Sequence, residues 1–123
     1  MIHANFTILY VDDPQSSRRF YTDLLAVEPV EASSTFVLFL LNNGLMLGLW
    51  SRHTVEPAAD SGAFGGEIAF RYASYEEIDK VYGEWTARGI SILSKPQTLE
   101  FGRSFVATDP DGHRLRVFSP AGR

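Results

Sequence analysis

The 123-residue chain contains no cysteine, which excludes disulfides, thiolate metal sites and a cysteine nucleophile. It has no run of basic residues, and its formal net charge is −4. A nucleic-acid partner, which calls for a clustered positive face, is therefore not expected. No apolar stretch is long enough to cross a bilayer. The richest, residues 36–50, is interrupted by Asn42-Asn43-Gly44 and reads as a hairpin. The opening Met-Ile-His-Ala-Asn lacks the basic patch and apolar core of a signal peptide, so the expected location is the cytoplasm. No Gly-x-Ser-x-Gly occurs, and Gly62, Gly65 and Gly66 precede a strand rather than a helix, which argues against hydrolase and phosphate-loop chemistry. What remains is a chain with 45% hydrophobic and 21% charged residues, enough apolar content for a packed core.

Along the chain, 5–11 alternates and is rich in β-formers, so it reads as a strand. Asp13-Pro14 then supplies an N-cap with proline at the first helical position. Phe20, Tyr21, Leu24 and Leu25 are spaced for one helix face, and the helix is expected to stop between Ala26 and Pro29. A short strand (30–33) leads into a hairpin with arms 36–41 and 45–50, for which Asn43-Gly44 suggests a two-residue turn. Residues 52–66, with their Pro, Ala and Gly, read as a linker.

After that the pattern begins again. Residues 67–72 alternate as a strand, and Ser74 with Glu77 forms a capping box. Ile78, Val81 and Trp85 line one face of the following helix, which Gly89 is placed to end. Strands at 90–94, 101–108 and 113–119 complete the set, the last two joined by Asp109-Pro110-Asp111-Gly112. The halves match at an offset of about 61 residues, with Asp13 on Ser74, Tyr21 on Tyr82, Leu24 on Trp85 and Ala26 on Ala87. The expected fold class is therefore α+β, built as two tandem βαβββ modules. Module one spans roughly 1–52, a linker 53–65 and module two 66–123, all within one domain. Neither module is large enough to cover both faces of its sheet. The expectation is that helices lie on the outer face of mixed sheets whose other face curls into a concave cleft.

Asp109-Pro110-Asp111-Gly112 followed by His-Arg-Leu-Arg-Val-Phe, with Tyr10-Val11-Asp12-Asp13-Pro14 and Arg19-Phe20-Tyr21-Thr22-Asp23-Leu24-Leu25, resembles the vicinal-oxygen-chelate superfamily of glyoxalases, extradiol dioxygenases and fosfomycin- and bleomycin-resistance proteins. The resemblance covers essentially the whole chain. The segment from Leu45 to His53 is most similar to small antibiotic-binding members of the bleomycin- and phenazine-resistance type. The resemblance implies a homodimer with its cavity at or near the interface. It also implies where a metalloenzyme of the family would hold its ion, at inward positions of the first and last strand of each module. Those positions are Phe6, Gly48, Glu67 and Arg116. A divalent cation takes three or four histidine or carboxylate ligands, and this set offers one carboxylate, so neither a metal nor another cofactor is expected. His3, His53 and His113 are expected to be surface or turn histidines.

Strand alternation extends the inward face to Ile8 and Tyr10 beside Phe6, to Met46 and Trp50 beside Gly48, and to Arg114 and Phe118 beside Arg116. A two-residue turn places Val37, Phe39 and Leu41 on the same face, with Phe39 opposite Gly48 and an open slot between them. The candidate ligand-binding set is thus Phe6, Ile8, Phe39, Met46, Gly48, Trp50, Glu67, Arg116 and Phe118. Each apolar member could instead be core, and Glu67–Arg116 could be a structural pair. Two functions follow. The first is metal-independent sequestration of a small, planar, partly apolar compound, an antibiotic or aromatic metabolite, with no catalytic residues. The alternative is a metal-dependent enzyme of the glyoxalase or dioxygenase type whose ligands sit one residue out of this register. Metal-free catalysis with Glu67 as base lacks a second group to assist it.

Overall fold

Two local signals start the helices where the sequence places them. The Asp13 carboxylate accepts from the Gln15 backbone N–H at 3.1 Å with Pro14 behind it, opening α1 (Pro14–Leu25). Ser74 and Glu77 close a reciprocal capping box on α2 (Tyr75–Ala87). The computed structural model describes residues 5–55, 67–99 and 102–121, and the chain divides into two compact units, 1–63 and 64–123.

The first unit carries β1 (Phe6–Val11), α1, β2 (Glu31–Ala32), β3 (Phe36–Leu40) and β4 (Met46–Ser51), with sheet order β1-β4-β3-β2. The second repeats this with β5 (Glu67–Arg71), α2, β6 (Ser91–Leu99), β7 (Gly102–Thr108) and β8 (Arg114–Pro120), in the order β5-β8-β7-β6. In each sheet the first and last strands pair parallel and all other neighbours antiparallel. This is βαβββ twice, as two mixed four-stranded sheets.

Each helix covers one face of its own sheet, α1 on β3 and β4 and α2 on β6, β7 and β8. In the first unit that side buries Val11, Tyr21, Val37, Phe39 and Leu49 completely. In the second, Trp85 meets Phe70 and Phe105 edge to face, with ring centroids 5.6 and 5.5 Å apart, a favoured aromatic geometry. The opposite face of each sheet is not covered by a helix of its unit. Neither sheet is strongly curled, so the cleft expected from the sequence is not confirmed.

Two local expectations are revised. The β3–β4 connection is a three-residue loop, Asn42-Asn43-Gly44, and not a two-residue turn. Leu41 N–H bonds Leu45 C=O at 2.9 Å, Gly44 N–H bonds Leu41 C=O at 3.0 Å, and Gly44 has φ +87°. This is a turn followed by a left-handed residue, the usual three-residue hairpin, and the Asn43 side chain stabilises it by accepting from Leu45 N–H. One residue of register inverts every side chain of β3. Strand β6 runs on to Leu99 rather than stopping at Ser94, with register shifts on either side of Ser94 that accommodate Pro96. Proline is tolerated there because β6 is an edge strand. Helix α1 ends on Ala26 in the left-handed region, φ 56°, a position where glycine is usual.

Candidate functional site

The corrected hairpin decides what the uncovered face of the first unit contains. Leu38 lies opposite Gly48 and Phe36 opposite Trp50, while Phe39 pairs with Leu47 on the helix side. Phe39 is fully buried there, so it is a core residue and leaves the candidate site, together with Val37. Phe6, Ile8 and Tyr10 of β1 and Met46, Gly48 and Trp50 of β4 share the uncovered face. Phe6, Ile8 and Tyr10 are 42%, 42% and 45% exposed, which is high for rings and branched chains on a sheet.

The expected slot beside Gly48 is filled. A methyl group added at Gly48 would lie 2.9 Å from Phe36 Cζ and 3.1 Å from Phe6 Cε1, so two rings close over the glycine backbone from either side. Phe36 also meets Trp50 edge to face at 6.0 Å. Glycine here lets Phe6, Phe36 and Trp50 form one aromatic surface.

The second unit keeps polar groups at the matching places. Arg116 Nε donates to Glu67 Oε1 at 2.7 Å, and its Nη1 donates to Ser104 Oγ at 3.2 Å. Glu67 and Arg116 retain 32% and 27% of their side-chain exposure, so the pair is accessible from solvent. Arg114 and Phe118 lie on the same face of β8. A depression of about 300 Å³ opens between Arg114, Arg116, Ser104 and Val106 on one side and Leu93, Ser94, Gln97 and Leu99 of β6 on the other. Sequence reasoning missed its β6 wall because Pro96 reads as a strand end. In the structure exposed and half-buried positions alternate through 91–97, so the strand continues past Pro96.

Phe6, Gly48, Glu67 and Arg116 do not match the donors a divalent cation requires. Rings occupy the space over Gly48, and the Glu67 carboxylate is engaged by a guanidinium. No group of three His, Cys, Asp or Glu side chains among the described residues could hold a metal ion.

Of the histidines, His3 lies outside the described residues. His53 Nε2 sits 2.7 Å from Asp12 Oδ1, which also pairs with Arg52 at 3.2 Å. The His53 hydrogen bond, reinforced by Arg52, holds the Asp12 carboxyl below the usual range. His113 sits in the β7–β8 turn, its Nδ1 2.8 Å from Asp109 Oδ2. That hydrogen bond is the main cause of its raised pKa, opposed by burial. Asp109 Oδ1 also accepts from the N–H groups of Asp111 and His113 at 2.9 and 2.8 Å. The Asp-Pro-Asp-Gly-His run therefore acts as a turn clamp. Burial, with Glu84 and Glu77 nearby, raises the pKa of Tyr72.

No helix among the described residues is long and apolar enough to cross a membrane. Residues 3–117 match the family model for the Glyoxalase/Bleomycin resistance protein/Dioxygenase superfamily. The chain is 34% identical over 119 residues to the phenazine antibiotic resistance protein EhpR of Enterobacter agglomerans, covering 94% of this chain and 91% of that protein. It is 54% identical to protein ATC0852 of Agrobacterium tumefaciens, solved by NMR in solution, with a TM-score of 0.89 over 99% of this chain and all of that one. A glyoxalase/bleomycin resistance protein/dioxygenase of Nocardioides is 26% identical, with a TM-score of 0.83 over all of this chain and 87% of that one. With the repeated βαβββ order and the Asp-Pro-Asp-Gly turn, these matches show that the chain belongs to the Glyoxalase/Bleomycin resistance protein/Dioxygenase superfamily.

Proposed function

We propose that this protein binds a small, planar, partly apolar compound without a metal ion and acts by holding it rather than converting it. The observation that carries the reading is the aromatic surface of the first unit, where Phe6 and Phe36 close over Gly48 beside Trp50. An apolar sheet face with Phe6, Ile8 and Tyr10 more than two-fifths exposed is unusual unless something packs on it. Flat rings gain roughly 0.5–1.5 kcal/mol from stacking beyond the area they bury. Resistance to a phenazine antibiotic in the 34% identical relative supports a tricyclic aromatic as the first ligand to try. The same exposed face supports a homodimer, since a sheet with one bare apolar side gains from a second layer.

Two tryptophans make the test direct. Trp50 is on the aromatic face, whereas Trp85 is buried on the sheet-facing side of α2 at 6% exposure. Titration with phenazines and other planar heterocycles should quench tryptophan emission saturably in wild type. Trp50→Phe should remove the response and leave the Trp85 signal. Silence across the panel would overturn the binding reading. Stoichiometric nickel, zinc, manganese or iron in protein purified without chelator would overturn its metal independence, and a monomer by light scattering would remove the dimer.

A further inference from the structure

We infer that the uncovered face of the second unit is an oxyanion-recognition surface, and that the ligand class is a planar apolar body bearing a carboxylate. This rests on the binding reading above and narrows it. Among the described residues the face carries Arg71, Arg114 and Arg116 against the one carboxylate of Glu67. Three cations to one anion on one sheet face run against the chain as a whole, whose formal net charge is −4.

The two central arginines are differently held. Arg116 is fixed by Glu67 at 2.7 Å and Ser104 at 3.2 Å, so its charge is already largely answered. Arg114 lies directly across from Glu67 in the parallel β5–β8 register, yet Glu67 bonds diagonally to Arg116. Arg114 has no hydrogen-bonded or ion-paired acceptor among the described residues.

Arg114 lines the depression of about 300 Å³ whose other walls include Gln97, Leu93, Leu99 and Val106. That volume is at the lower end for small-molecule sites, and the lining matches an amphiphilic anion. Leucine and valine would contact an apolar body, the Gln97 amide can donate, and Arg114 can grip a carboxylate through two parallel N–H groups. A cationic or uncharged ligand would leave Arg114 unanswered.

The test compares phenazine-1-carboxylate with its neutral carboxamide, two probes of nearly equal shape. Calorimetric titration of wild type should give about tenfold tighter binding of the acid, the equivalent of one charge-assisted hydrogen-bond pair. The ratio should shrink as salt is raised. Arg114→Gln should bring it to about one, and Arg114→Lys should restore part of it, with melting curves confirming that both variants fold. Equal binding of the two probes to wild type, or a preference unchanged by Arg114→Gln, would overturn the anion assignment and leave the planar-ligand reading standing. The salt dependence in wild type decides the matter should either variant fail to fold. Binding of neither probe would overturn both.

Discussion

The same substitution at two positions three residues apart on β3 should have very different effects. Phe39 is completely buried between its sheet and α1, whereas Phe36 is half-buried on the uncovered face. Truncating a fully buried phenylalanine removes its transfer free energy and leaves a cavity, together about 3–5 kcal/mol. For Phe36 only part of the ring is lost from a buried setting, and the space opens to solvent. About 1–1.5 kcal/mol is expected, including the edge-to-face contact with Trp50. Domains are stable by about 5–15 kcal/mol, so Phe39→Ala should remove roughly a fifth of the total or more. Urea unfolding followed by far-ultraviolet circular dichroism, with m-values compared, measures both losses. Running each variant at two protein concentrations separates subunit association from folding, since the Phe39 loss should not depend on concentration. Equal losses, or a larger loss for Phe36→Ala, would refute the three-residue loop and the face assignment that follows from it.

Three further outcomes are expected. Gly102→Ala should destabilise by about 2–4 kcal/mol in the same urea assay. Gly102 has φ +138°, and an added methyl group would collide with the Ser119 carbonyl oxygen, which is backbone and cannot swing away. Ala26→Gly should stabilise by about 0.5–1 kcal/mol and raise Tm by a few degrees, because it relieves a Cβ held at φ 56° at the end of α1. His113, with its pKa held above the ordinary 6.5 by Asp109, binds more protons folded than unfolded. Its stabilisation is full below about pH 6.5 and is lost as pH rises through the raised value. Tm should fall across that interval, and Asp109→Asn, which keeps an oxygen for the turn N–H groups, should flatten the fall.

The features legible in the sequence were those whose causes are local. Asp13-Pro14 and Ser74 with Glu77 start their helices by bonds within four residues, and period-two alternation places Glu67 and Arg116 on one face. The hairpin was misjudged because Asn42-Asn43-Gly44 admits two loop lengths, and choosing between them depends on whether Phe39 or Phe36 packs against α1. That is a long-range matter of burial, with a one-residue error inverting the strand. Pro96 hid the second half of β6 because proline normally ends a strand. Only the strand order shows that it lies on an edge. The Gly102 backbone angle is set by the approach of Ser119 across the sheet, which no local pattern encodes. Alternation puts Phe6, Gly48 and Trp50 on the uncovered face of the first sheet and Glu67 and Arg116 on that of the second, whereas Phe39, expected beside Gly48, faces α1.

The two hairpins share one construction. Gly44 and Gly112 each close a three-residue loop at φ +87° and +86°, and Gly48 and Arg116 each follow four residues later. Because loop geometry sets the facing of each last strand, the side chain at those positions can be exchanged while the scaffold persists. Installing a histidine or glutamate at Gly48 would first require Phe6 and Phe36 to vacate the space they share. Glu67 would also have to exchange Arg116 for another charge. Each face therefore resists conversion to an ion-holding site for its own reason, the first by the crowding of rings at Gly48 and the second by the ion pair at Glu67.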